Sequence, residues 1–222
     1  RAEEIYDEEA KPGTSHEAKV RIERRVMELG FPGWTILRPV RFMENFSGPL
    51  GGITFAVFKA GLKRDTKMDL IAVDDVGQIA AEVFRNPTPY THKILVPIGD
   101  ALTCTQVEST YKKVTNGRTI TKVPGLLASG LLGMNRGTRD VITSIERPYE
   151  AMREGLLPNL ESQVELARVA FVGGGAGGQD HLTTFEEWVG RQRSHVDKEA
   201  EEGQGQRSWN QVSLAKLFSG RH

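Results

Sequence analysis

The chain has a single cysteine, Cys104, in 222 residues, so an intramolecular disulfide is excluded. A lone thiol is typical of proteins from a reducing compartment. Cys104 stands where a helix is expected to begin, a position that can lower the pKa of a thiol. A structural thiol without special reactivity is nevertheless the favoured interpretation.

The sequence also lacks an excess of charge of either sign. Lysine and arginine number 29, as do aspartate and glutamate, whereas a nucleic-acid-binding surface normally shows net basicity or a basic stripe. No run of 18 apolar residues is present, so no membrane-spanning helix is expected. The composition, 38% hydrophobic and 26% charged, suits a soluble domain with a sizeable core. We therefore expect no direct contact with nucleic acid or membrane.

Residues 14–46 are the most informative segment. Thr14 or Ser15 can cap a helix that ends near Gly30, and its apolar residues recur at helical spacing: Ala18, Ile22, Val26 and Leu29. A short β-rich run around Trp34–Leu37 predicts a buried strand, and Pro39 ends it. A loop at 42–46 follows at once. Since ligands of open α/β sheets bind beyond the carboxyl ends of strands, this loop is a candidate binding segment.

Strands and helices alternate through the middle of the chain, which predicts an α/β fold with a mainly parallel sheet. Asp74 or Asp75 is expected to cap a helix that ends at Asn86-Pro87, an interpretation favoured over a metal site for this pair. The other predicted elements are a helix at Ile53–Gly61, strands at Met68–Val73 and His92–Ile98, and helices at Thr103–Thr115, Leu126–Leu132, Val141–Met152 and Thr183–His195. Asp197–Arg207 is polar and predicts a disordered linker, and residues 209–218 could form a short docking helix.

Several of these motifs together resemble the NmrA-like family, whose members are atypical short-chain dehydrogenases/reductases. The resemblance is good over about 14–125 and weaker over 140–190. It is carried by Lys19 with Ile22-Glu23, by Trp34–Pro39, by Phe42–Phe46, by Ala72–Gly77 and by Thr184–Trp188. It implies the C-terminal part of a Rossmann-like sheet at 14–123, a small, mostly helical substrate or partner lobe at 124–196, and flanking segments at 1–13 and 197–222.

The resemblance also implies which residues contact the nicotinamide half of a bound NADP(H). These are Lys19, Phe42, Met43, Glu44 and Asn45. From spacing alone, Lys19 could instead form a surface ion pair with Glu23 four residues on, and the apolar residues could simply pack in the core. Glu44 and Asn45 are harder to explain by packing, because buried polar groups need partners.

Family members begin with a strand, a glycine-rich turn and a helix that hold the pyrophosphate. Nothing before residue 14 resembles that unit, so we expect a fragment that lacks roughly 110–140 N-terminal residues of such a half-domain and binds the dinucleotide weakly or not at all alone. Gly173, Gly175 and Gly178 match G-x-G-x-x-G after the β-like run 167–172. No helix and second strand follow as the fingerprint requires, so a flexible loop is favoured over a phosphate site.

Typical members of the superfamily place a tyrosine four residues before the lysine, and Ser15 stands there in this chain. The usual proton transfer is therefore not expected. The resemblance implies an NADP(H)-binding, redox-sensing regulator without turnover, in the cytoplasm or nucleus, with a protein partner such as a transcription factor. Two alternatives stay open: a reductase of quinone-like or phenolic substrates that uses His16 or Lys19 as proton source, and a truncated interaction module.

Overall fold

The described strands form two small sheets. The computed structural model describes residues 15–121, 123, 130, 136–175 and 179–202. In the first sheet, β1 (Thr35–Leu37) and β4 (Lys93–Leu95) pair in parallel. In the second, β3 (Lys67–Ile71) lies between β2 (Arg41–Phe42), to which it is parallel, and β5 (Asp100–Thr103), to which it is antiparallel.

Helices surround the two sheets, in agreement with the predicted α/β class. Their bounds are α1 (Ser15–Glu28), α2 (Gly48–Gly61), α3 (Val73–Arg85), α4 (Cys104–Val114), α5 (Arg136–Arg153), α6 (Leu160–Gly173) and α7 (Phe185–Glu202), with 3-10 turns at Met43–Phe46 and Thr88–Tyr90. Helix α4 begins with a capping box, in which Thr103 and Gln106 bond each other's backbone N–H. None of the described helices is long and apolar enough to cross a membrane.

Three predicted elements differ in type from the structure. The loop at 42–46 is the end of β2 and a 3-10 turn. The β-like run 167–172 is helical, because Ala167, Ala170 and Phe171 are fully buried at i, i+3 and i+4. Residues 197–202 belong to α7 rather than to a linker, and their glutamate, lysine and alanine are good helix formers. Strand β5 was not predicted. The rest of the predicted linker, the docking helix and most of 126–132 lie outside the described residues.

The aspartate pair lies in the first turn of α3 and does not cap it, so that prediction was wrong. Ala72 is the N-cap residue, without a side-chain bond, and Asp74 is exposed. Asp75 is fully buried and accepts hydrogen bonds from the backbone N–H of Thr183 at 2.6 Å and from its hydroxyl at 2.8 Å. Burial raises the pKa of Asp75, and the bonds from Thr183 oppose the rise. The carboxylate thus joins α3 to the segment before α7.

The described residues form two clusters of buried side chains, and both include residues from the predicted C-terminal lobe. In the first, Phe185 and Trp188 of α7 pack with Phe46 and Phe55. In the second, the buried residues of α6 pack with others from the α/β part, such as Ile79 and Leu95. Helices α6 and α7 therefore share their apolar cores with the α/β part.

Candidate functional site

A cavity of about 1480 Å³ lies among α1, β1, α2, α5 and the start of α6. Its lining includes Arg38 and Pro39, which follow β1, and Val96 and Ile98, which follow β4. The carboxyl ends of both parallel strands therefore open into one cavity. This is the position at which α/β sheets bind their ligands.

Lys19 and Asn45, two of the five predicted cofactor contacts, line this cavity. Both side chains are exposed. Lys19 projects from α1, and Asn45 comes from the 3-10 turn that follows β2. No described residue forms a hydrogen bond or ion pair with the Lys19 ammonium group. The structure thus places one cation and one amide, 26 residues apart in sequence, in the lining of the same cavity.

The alternative ion pair between Lys19 and Glu23 is not formed. The guanidinium of Arg38 instead donates hydrogen bonds to the Glu23 carboxylate. Its Nη2 lies 2.6 Å from one oxygen, and its Nε lies 3.1 and 3.2 Å from the two oxygens. Only 23% of the Arg38 side chain and 14% of the Glu23 side chain are exposed. Such a bidentate, largely buried contact is stronger and more directional than a surface pair. It fixes α1 against the end of β1, and with it the position of Lys19.

The side chains of the other three predicted contacts, Phe42, Met43 and Glu44, pack against or hydrogen-bond to other parts of the protein. Met43 is fully buried in the first core cluster, and Phe42 packs against the second. The Glu44 carboxylate accepts hydrogen bonds from the backbone N–H of Val73 at 3.2 Å and from Trp188 Nε1 at 3.0 Å. These bonds tie the segment that carries Asn45 to the start of α3 and to α7. A cofactor contact by these three residues stays a prediction.

Asp69 and Arg41 also line the cavity, and the sequence analysis did not single them out. Asp69 lies in β3 between the fully buried Met68 and Leu70. Burial raises its pKa, and the nearby charges of Arg41 and Lys67 oppose the rise. The signal in the sequence that could have indicated Asp69 was a carboxylate between apolar residues of a predicted strand. It was overlooked because its surroundings depend on segments distant in sequence.

The charged side chains around the cavity are mainly cationic. The described lining residues include four cations, Lys19, Arg24, Arg38 and Arg41, and two carboxylates, Glu23 and Asp69. Most of the cations lie at the α1 end, where Arg38 is held by Glu23. This end therefore favours a ligand with negative charge.

The glycine-rich segment after residue 172 does not have the context of a dinucleotide fingerprint. Gly173 is the last residue of α6, and the N–H of Gly174 bonds back to Ala170 O, so a helix rather than a strand precedes the glycines. Gly175 has a φ of 65°, as is usual just beyond a helix end. Ala176–Gly178 lie outside the described residues. In the described part, no group of three His, Cys, Asp or Glu side chains is placed to hold a metal.

Comparison with known proteins gives a match to the model of the NmrA-like family over residues 1–174. The chain belongs to the NmrA-like family. The predicted resemblance is thereby confirmed, and the family match includes all described elements from α1 to α6. A search of curated proteins finds no match.

Solved structures with the same fold include NmrA, a negative transcriptional regulator, in complex with NADP. It has 16% identity and a TM-score of 0.50, and the match covers 85% of this chain and 60% of that one. A nucleoside-diphosphate-sugar epimerase from Staphylococcus aureus has 13% identity and a TM-score of 0.50, with 79% of this chain and 58% of that one covered. This NmrA-like chain thus spans about three fifths of the length of these structures. At such identities the likeness shows the fold, which confirms the predicted Rossmann-like class.

Proposed function

We propose that this NmrA-like chain forms part of an NADP(H)-binding, redox-sensing regulator that holds the dinucleotide without turning it over. The observation that carries the proposal is that Lys19 and Asn45 both line the cavity beyond the carboxyl ends of β1 and β4. A side-chain amide can hydrogen-bond a carboxamide such as that of nicotinamide. The cationic α1 end suits a phosphate-bearing molecule.

The described residues fit the nicotinamide half of the cofactor better than its phosphate half. The pyrophosphate of a dinucleotide is held by a glycine-rich turn between a strand and a helix, and no such unit occurs among the described residues. We therefore propose that the described residues of this chain contribute the nicotinamide side of the site. The partial coverage of the NADP-bound NmrA structure supports this view.

The absence of turnover is proposed from the residue four positions before Lys19. Ser15 stands where the proton-donating tyrosine of the superfamily is expected, and a serine hydroxyl is far less acidic than a phenol. A reductase of quinone-like compounds is the second candidate. It is favoured by the Lys19 ammonium group, which has no partner among the described residues and borders the cavity as a potential proton source.

Binding is tested by titrating NADPH and NADP⁺ into the natural protein that contains this chain. We expect saturable binding and a loss of about tenfold in affinity for Lys19→Ala, the size of one charge-assisted contact. The matched control is Arg25→Ala, a cation on the same helix that pairs with Glu28 and does not line the large cavity. Equal effects of the two substitutions would remove Lys19 from the proposed site.

Turnover is tested separately, by following the absorbance of NADPH with a panel of carbonyl compounds and quinones. The regulator predicts tight binding without oxidation of NADPH. Steady turnover that Lys19→Ala abolishes would support the reductase instead. A partner protein, such as a transcription factor, and a location in the cytoplasm or nucleus remain part of the regulator proposal.

A further inference from the structure

The end of the cavity at β2 and β3 contains a carboxylate without a hydrogen-bond donor among the described residues. Asp69 is half-buried in β3 and lines the cavity. In the described part of the chain, no group donates a hydrogen bond to its side chain. Glu23, the other carboxylate of the lining, is held by Arg38. Of the two carboxylates in the lining, Asp69 is therefore the one left open to a ligand that donates a hydrogen bond.

Arg41 gives this end of the cavity a fixed positive charge. It lies in β2, the strand parallel to β3, and its Nη2 donates to the backbone carbonyl of Ser144 in α5 at 2.9 Å. The guanidinium is therefore held in place by its hydrogen bond to the backbone of α5. Burial raises the pKa of Asp69, and the charges of Arg41 and Lys67 oppose that rise, which favours the ionised carboxylate that can accept hydrogen bonds.

The cavity that Asp69 and Arg41 line also has apolar walls from α2 and α5. They include Ile53, Val57 and Phe58 of α2 and Val141 of α5. One negative and one positive charge offset each other at this end, so an ionic ligand gains little there, whereas an apolar surface gains from leaving water. The lining thus combines apolar walls with a single strong hydrogen-bond acceptor.

We propose that Asp69 is the polar anchor of a second binding site, which takes an uncharged, largely apolar molecule carrying a hydroxyl or amide N–H donor. The donor of the ligand bonds the Asp69 carboxylate, and the ligand's apolar body lies against α2 and α5. The site goes beyond the proposed dinucleotide function, because none of its contacts involves Lys19 or Asn45. It can therefore be tested without NADP(H).

The test compares two fluorescent probes of nearly equal shape, 2-naphthol, which is neutral and carries a hydroxyl donor, and 2-methoxynaphthalene, which carries none. Binding of each to the protein is measured by fluorescence titration at neutral pH without NADP(H). We expect 2-naphthol to bind about tenfold more tightly, the effect of one hydrogen bond to a charged group. Asp69→Ala should abolish this preference, and Asp74→Ala, which alters an exposed carboxylate, should retain it.

The proposal is overturned by equal affinity for the two probes, by absence of saturable binding of either, or by a preference that survives Asp69→Ala. Should Asp69→Ala fail to fold, Asp69→Asn gives the same test with a side chain of the same size. Its neutral amide is a weaker acceptor than a carboxylate, so the preference for 2-naphthol must fall. An unchanged preference in Asp69→Asn also overturns the proposal.

Discussion

Replacing Asp75 with alanine should destabilise the protein far more than replacing its neighbour Asp74. Asp75 and Thr183 are both fully buried, and the Asp75 carboxylate accepts from the backbone N–H and the hydroxyl of Thr183. Alanine leaves two donors inside the protein without an acceptor. The contact also joins α3 to the residues before α7, so its loss weakens the attachment of the C-terminal helix.

The magnitude follows from the two donors. A buried group that loses its partner costs about 1–3 kcal/mol, so two give about 2–6 kcal/mol. The carboxylate itself is unfavourable to bury, which is why its pKa is raised, and removing it recovers part of that cost. We therefore expect Asp75→Ala to lower the free energy of unfolding by about 3 kcal/mol. Asp75→Asn keeps one acceptor and should cost about 1–2 kcal/mol.

The measurement is urea unfolding followed by far-UV circular dichroism. Asp74→Ala serves as the control, since an exposed residue outside special features usually changes stability by less than about 0.5 kcal/mol. The order of stability should be wild type and Asp74→Ala, then Asp75→Asn, then Asp75→Ala. If Asp75→Ala and Asp74→Ala unfold at the same urea concentration, the buried contact does not hold α3 to the C-terminal segment and the reasoning is refuted.

Two further predictions concern titratable side chains. Burial raises the pKa of Cys104 to about 11, from 9.0 for an ordinary thiol. Its thiolate fraction near neutral pH should therefore be about a hundredfold smaller than that of an ordinary thiol. A disulfide reagent should label Cys104 much more slowly in the native protein than in urea, and equal rates would contradict this. Hydrogen bonds with Asp180 and Glu187 raise the pKa of the exposed His181 above 6.5. Its contribution to stability is therefore complete below pH 6.5 and is lost as the pH rises through the raised pKa. NMR titration should give that higher pKa, and His181→Asn should remove this part of the pH dependence of unfolding.

Elements with a clear local pattern were predictable from the sequence. Helix α1 was expected from capping residues and helical spacing, and β1 from its β-rich run ended by Pro39. Helix α4 was also expected, at Thr103–Thr115. The motifs in 14–46 and 72–77 also indicated the family, which the match over residues 1–174 confirms. These features depend on neighbours within a few residues, and such neighbours can be read directly from the chain.

Elements whose stability depends on distant neighbours were not predictable. Strand β5 has only four residues and becomes a strand by pairing with β3. In α6, valine and phenylalanine suggested a strand, but the packing of one helix face against the second core cluster determined a helix. Local preference is weak compared with the free energy of burying such a face.

The aspartate pair shows the same limit for polar residues. Asp before an apolar helix is typical of a cap, yet Asp75 bonds Thr183, which is 108 residues away in sequence. A local rule cannot include such a partner.

The sequence by itself determined the fold class, the family and the expectation of a nicotinamide contact at Lys19 and Asn45. Tertiary structure alone decided that these two side chains share a cavity, that Arg38 rather than Lys19 pairs with Glu23, and that Asp69 faces the cavity. The physical reason is that hydrophobic spacing and capping act over single turns. Ion pairing, desolvation and cavity shape depend on which distant segments the fold brings together.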